Sequence, residues 1–320
     1  MHVRYAQCAD SAAPVASRRV RAELRALFGR CCCPNATRAT FPSTIAHYEL
    51  LKELGAGSRG VVYLARDRRA NRFVAVKILP AWGCANRDSR ERFMREAACL
   101  SALSHPNIAA VYEMGQDHDV PFIAMEYLPG RTLNRVIPER GLPLGICVGY
   151  ALQMARAIAV IHGESIIHRD LKPSNFWVAK CGAVKLLDFG LAKWLQRPPV
   201  YQSRNRGSET LETLEGTILG TASYMSPEQV RGQKVDRASD IFSFGVVFQE
   251  MLTGRRPFRA PTTIETMSAI LREAPTKLPQ RVPAPIAAIV LCCLEKKPNR
   301  RYKTAAELLN NLLDTKLAIN

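Results

Sequence analysis

The clearest period along the chain is two. In "FVAVKIL" (73–79), Val74, Val76 and Ile78 fall on one side, and Phe73, Ala75, Lys77 and Leu79 on the other. That is the alternation of a β-strand. The longer stretch "YELLKELGAGSRGVVYLARDRRANRFVAVKIL" (48–79) reads as three strands joined by tight turns, with the polar "RDRRANR" dividing "VVYLA" from "FVAVKIL". The pattern then turns helical over 88–104, where Phe93, Leu100 and Leu103 recur at helical spacing, and "HPNI" (105–108) stops it. "AAVYEMGQ" and "PFIAMEYL" read as two further strands. Beyond "PG" (129–130) the pattern is mainly helical to the end. Five strands with one helix, followed by a helical region, predict an α+β chain in two lobes with no internal repeat.

The first 46 residues have a different texture. They hold seven arginines, no lysine and two acids. Ser17 is placed to cap a short helix ending at Gly29, with Val20, Leu24, Leu27 and Phe28 on one face. The default reading of 1–46 is a poorly ordered basic extension, able to make weak contact with an anionic membrane surface. The whole chain of 320 residues carries a net charge of +17. No run interleaves Lys/Arg with aromatics, so nucleic acid is not an expected partner. The longest apolar run noted, "IAAIVLCCL" (286–294), is too short to cross a bilayer and reads as a core helix. Ten cysteines occur without zinc or C-x-x-C spacing, a pattern of reduced thiols and a cytoplasmic location. The Cys31–Cys33 cluster has no role that the sequence assigns.

Gly55, Gly57 and Gly60 spell G-x-G-x-x-G. By spacing this is a dinucleotide loop, a phosphate lid or a glycine-rich turn. A dinucleotide loop opens a helix and is followed about 20 residues on by a ribose-binding acid. Here the loop joins strand to strand, and position 77 is a lysine. Lys77 in an apolar strand needs solvent, as on an edge strand, or an anion. Glu96 lies at i+3 from Phe93 and i−4 from Leu100, so it points along the apolar helix face or pairs at the surface with Arg92 or Arg95. An inward Glu96 and an inward Lys77 would neutralise each other. Farther on, "HRDLKPSN" (168–175) is followed by "DFG" (188–190) and "SPE" (226–228).

That ordered set of motifs resembles the serine/threonine protein kinases, most closely the bacterial kinases with eukaryotic-like catalytic domains. The segments "GTASYMSPEQVRG" and "DIFSFGVVFQEMLTGRRPF" support the same subclass, and the likeness covers 48–314. It implies a bilobal kinase fold: an N-lobe (48–127) of five antiparallel strands plus one helix, a mainly helical C-lobe (128–314), and a short tail (315–320). It implies ATP and Mg2+ as cofactors and proteins as substrates. Leu54, Gly55, Ala56, Gly57, Ser58, Arg59, Gly60, Val61 and Val62 would cover the nucleotide, with Val62 and Ala75 enclosing the adenine. Lys77 would bind the α- and β-phosphates, braced by Glu96. Met125 falls at the gatekeeper position, and Glu126 and Leu128 would hydrogen-bond adenine through their backbones. Asp170 would orient the substrate hydroxyl and accept its proton, Lys172 would stabilise the transferring phosphate, and Asn175 and Asp188 would hold Mg2+. Glu228 would pair with Arg301, and Asp240 would anchor the catalytic loop. Phe176 and Trp177 depart from the smaller aliphatics usual after the metal asparagine. Arg169 puts a positive charge beside the segment that follows Asp188, where Thr213 and Thr217 are candidate autophosphorylation sites. Autophosphorylation in trans would require a transient homodimer.

Overall fold

A computed structural model describes residues 44–57, 60–79, 103–118, 120–187 and 222–319. Glu96, Asp188, Ser58, Arg59, Thr213 and Thr217 lie outside the described residues, as do the helix expected at 17–29 and all of that expected at 88–104 but its last two residues, Leu103 and Ser104, which are not helical. The chain divides into two compact units.

The first unit is a six-stranded antiparallel sheet: β1 (Thr44–Ile45), β2 (Tyr48–Gly57), β3 (Gly60–Asp67), β4 (Arg72–Ile78), β5 (Val111–Asp117) and β6 (Val120–Glu126), in the order β1-β2-β3-β4-β6-β5. The five strands expected from alternation are β2–β6. β1 adds two residues at the edge, inside the stretch read as extension, where so short a strand has no period to show. Strand ends are set by turn chemistry. Asp67 Oδ1 accepts the amides of Arg69 and Ala70 at 3.0 and 2.9 Å, which turns β3 into β4. One sheet face is the core of this unit, with Tyr48, Val61, Tyr63, Ala65, Val74, Val76, Ile78, Phe122 and Ala124 packed together. Each large side chain there contributes about 2 kcal/mol by leaving water.

The second unit holds a small sheet, β7 (Gly130–Thr132), β8 (Phe176–Ala179) and β9 (Val184–Leu186), and six α-helices among the described residues. These are α1 (Leu144–Gly163), α2 (Pro227–Val230), α3 (Arg237–Thr253), α4 (Thr263–Arg272), α5 (Ala284–Cys293) and α6 (Ala305–Ile319). α3 packs on α1 and α5, and α1 packs on α6. Phe242 and Phe258 stack with centroids 5.9 Å apart in this core. The apolar run at 286–294 is α5 and its first turn beyond, with Ile286, Ile289, Val290 and Cys293 buried, as expected of a core helix. α1, at 20 residues, is long and apolar enough to cross a membrane by composition, although Gln153 and Arg156 interrupt its apolar run. Val148, Ala151, Leu152, Met154, Ala155, Ala157, Ile158 and Ile161 are instead buried and the helix packs on α3 and α6, which makes it a core helix here. Cys147 and Cys293 are buried free thiols. Burial pushes Cys147 up to about 12 and Cys293 well above the usual thiol range, so both stay protonated.

Candidate active site

The sheet register assigns faces. Gly55 pairs with Val62, Val62 with Lys77, and Lys77 with Ile123. The next row is Leu64, Ala75 and Met125. Directly opposed residues share a face, so Val62, Ala75, Lys77 and Met125 lie together on the face away from the Tyr48–Phe122 core. Lys77 is 5% exposed on a central strand, flanked by β3 and β6. The edge-strand alternative is therefore excluded. A buried ammonium persists only beside anionic groups. Ile123 and Leu64 join this face without having been singled out. Stepping two residues from Met125 or Val62 would have found them. Val61, counted with the nucleotide residues, has its side chain 4% exposed in the core on the opposite face, so just its backbone belongs to the loop.

The glycine loop is the β2–β3 hairpin. Gly57 pairs with Gly60, the last described pair of the hairpin. Gly60 adopts φ +113°, and a Cβ there would run into the carbonyl of Ile78. The hairpin itself requires this glycine. Gly55 differs: a Cβ would meet nothing within 4 Å. No packing demand explains it, and the open space fits close approach of a ligand to backbone amides. Gly60→Ala is therefore expected to lower Tm, with a cost above 1 kcal/mol. Gly55→Ala should leave Tm nearly unchanged and raise the KM for ATP several-fold. Thermal melts beside nucleotide kinetics check the split.

In the second unit the loop after α1 holds Asp170, Lys172 and Asn175. Arg169 has φ +64°, a left-handed conformation costing about 1–3 kcal/mol for a side chain of this kind. It is held from both ends. Asp240, 1% exposed near the start of α3, accepts the amides of His168 and Arg169, each at 2.8 Å. Gln229 Nε2 of α2 donates to the Arg169 carbonyl at 2.8 Å. Asp240 also meets His162 Nε2 at 2.9 Å. Asp240 thus anchors the loop, as expected. His162 and Gln229 are partners that the sequence did not reveal, being 78 and 60 residues from the groups they hold.

The next residue, Asp170, is 6% exposed. Lys172 Nζ lies 3.3 Å from Asp170 Oδ2. Asn175 Nδ2 donates to the Asp170 carbonyl at 2.7 Å, which commits the amide nitrogen inward and fixes the orientation of its oxygen. The Asn175 carbonyl accepts the amide of Leu187 at 2.7 Å, tying the residue before Asp188 to the same loop. β9 is fixed from its other side by Asn107, whose carbonyl accepts from Leu186 and whose Nδ2 donates to Val184. Asp170, Lys172 and Asn175 are thus brought together. Phe176 is fully buried, while Trp177 is half-buried, its indole lying where a side chain at Gly130 would intrude. Trp177 Nε1 is buried without a hydrogen-bond partner among the described residues.

The segment leading into α2 is braced separately. Arg301 donates to both Glu228 oxygens, at 2.7 and 2.9 Å, and Ser239 Oγ donates at 2.5 Å. Burial pushes the Glu228 carboxyl up, but the bonds from Arg301 and Ser239 outweigh it and hold the group at about 2. A depressed carboxyl contributes stability that is present above its unfolded value, near 4.5, and lost as pH falls through 2. The contribution is about 3 kcal/mol. Glu228→Gln should therefore shrink the stability difference between pH 5 and pH 2 by about 3 kcal/mol, measured by urea unfolding at each pH.

A hairpin carrying Gly55, Gly57 and Gly60 that leads to a buried strand lysine, and a pinned loop that gathers Asp170, Lys172 and Asn175, are the parts of a phosphoryl-transfer domain of kinase type. Sequence comparison agrees: residues 48–313 match the protein kinase domain family, and the chain belongs to that family. It is 36% identical over 273 residues to a probable serine/threonine-protein kinase of Clostridium acetobutylicum, covering 84% of this chain and 40% of that protein. It is 38% identical over 283 residues to the serine/threonine-protein kinase PknB of Mycobacterium tuberculosis, covering 86% and 44%. The chain spans about two-fifths of the length of the curated relatives it matches.

Proposed function

We propose that the chain transfers the γ-phosphoryl group of ATP to serine and threonine hydroxyls of proteins. The observation that carries this reading is the loop holding Asp170 between Lys172 and Asn175, with its backbone fixed by Asp240. Such transfer needs alignment and charge neutralisation more than covalent help. Asp170 orients the acceptor hydroxyl and takes its proton. Lys172, already 3.3 Å from Asp170, supplies positive charge to the group in transfer. The sheet face of Val62, Ala75 and Met125 receives the adenine, Glu126 and Leu128 offer it backbone groups, and Lys77 grips the phosphates with Glu96 as its brace. Leu54 through Gly60, with Ser58 and Arg59 at the tip, cover them. Asn175 and Asp188 provide the hard oxygen ligands that suit Mg2+. When bound, the ion neutralises phosphate charge. The relatives named as serine/threonine kinases support the acceptor class.

The test is transfer of label from γ-labelled ATP to protein, with and without Mg2+. Metal-dependent labelling of protein is expected, and no labelling at saturating ATP would overturn the reading. Autophosphorylation at Thr213 or Thr217, between two copies that meet transiently, is part of the proposal. Phosphopeptide mapping of active enzyme should find one of them modified. Finding both unmodified would remove that part.

A further inference from the structure

Beside the segment that leads into α2 lies a cavity of about 450 Å³, lined among others by Ser223, Arg256, Arg259, Thr262, Thr263 and Thr266. Its lining contains two guanidinium groups and four hydroxyls, and no carboxylate among the described residues. Arg256 is half-buried and aimed by a 2.5 Å hydrogen bond to Ser223 Oγ. Its charge is shared with the half-buried Glu250, which accepts from Tyr224. Arg259 is exposed and forms no ion pair among the described residues. The acid nearest in sequence, Glu265, is occupied: its Oε2 accepts the Thr262 amide at 3.1 Å in a capping box. Thr266 Oγ1 accepts the Ala260 amide at 3.3 Å, which fixes the turn that carries Arg259.

The cavity is physically linked to the catalytic loop. Ser223 and Gln229 belong to one short segment. Ser223 meets Arg256 of the cavity, and Gln229 holds the Arg169 carbonyl next to Asp170. Ile264, next in sequence to the lining residue Thr263, is an apolar side chain 81% exposed. An anionic group carried on a chain with apolar neighbours fits this combination better than a free ion, because both features are then used.

We propose that this cavity receives an acidic residue of the protein substrate, a carboxylate or a phosphorylated side chain, and so selects substrates bearing a negative charge at one position away from the acceptor hydroxyl. This rests on the protein-phosphorylation reading above. Arg259 is its principal charge, because Arg256 also balances Glu250.

The experiment uses the full chain and peptides with a single threonine acceptor, placing Glu, phosphoserine, Gln or Lys at each other position in turn. At one position Glu or phosphoserine should raise kcat/KM about tenfold over Gln, chiefly through KM, as one charge-assisted contact would. Arg259→Ala should bring that ratio to about one, and Arg259→Glu should reverse it in favour of Lys. Phosphoserine above Glu identifies phosphate as the preferred group, and equality identifies carboxylate as sufficient. Fluorescence anisotropy of the best acidic peptide on Asp170→Asn protein reads binding without catalysis and should show the same dependence on Arg259. If wild type labels no peptide while the acidic peptide still binds through Arg259, phosphotransfer fails and the site stands. If no position prefers an acid, or the preference survives in Arg259→Ala, the site is overturned.

Discussion

Asp170→Asn is expected to lower kcat for protein phosphorylation about a thousandfold while leaving Mg-ATP affinity within about twofold. The asparagine keeps the shape of the side chain, and the bond from Asn175 to the residue 170 carbonyl is a backbone contact that survives. On the proposed reading, what is lost is the group that takes the proton of the acceptor hydroxyl. Lys172 loses its anionic neighbour at 3.3 Å but is 15% exposed and can reach water, so the stability change should stay near 1 kcal/mol. A purely structural role for Asp170 predicts the reverse split: a large fall in Tm and weakened ATP binding together. Stopped-time transfer assays beside nucleotide titration and thermal melts separate the two.

Asp240→Ala should have the largest effect on the fold of the site. The carboxylate is 1% exposed and receives the His168 and Arg169 amides and a contact from His162. Its removal strands the buried His168 amide and the part-buried Arg169 amide, and a buried group so stranded costs about 1–3 kcal/mol. It also frees Arg169 from a conformation that needs a restraint. A loss of about 4 kcal/mol is expected, with activity falling at least a hundredfold at temperatures where the protein remains folded, because Asp170 is the next residue. Arg169→Gly in the Asp240→Ala background should recover part of the stability, since glycine tolerates positive φ. Denaturant unfolding of the single and double variants tests this coupling. Additive effects would show that Asp240 does not act through the strained residue.

Much of this was legible in the sequence because its signals are short-range. Period two in "FVAVKIL" found β4 and put Ala75 and Lys77 on one face. The glycine spacing found the β2–β3 hairpin. What periodicity could not supply was neighbourhood. Whether Lys77 reached water depended on β6 lying beside β4, a pairing across more than forty residues. Gln229 reaches the loop from a helix 60 residues on, and His162 supports it through Asp240, 78 residues on; nothing local distinguishes either from ordinary helix residues. β1 was hidden because two residues cannot alternate visibly. α1 was hidden as an apolar helix because Arg156 and Gln153 interrupt its run. The roles of Glu228 and Asp240 followed from the resemblance, and the structure supplies their physical basis in the Arg301 pair and the two loop amides.

The most direct measurement is phosphoamino-acid analysis of protein labelled from γ-labelled Mg-ATP, with wild type beside Asp170→Asn and nucleotide binding confirmed for both. The expected result is phosphothreonine and phosphoserine with wild type and almost none with the variant. Equal labelling by the two proteins, or none by a wild type that binds Mg-ATP, would contradict the assignment of Asp170 at the centre of a phosphoryl-transfer site.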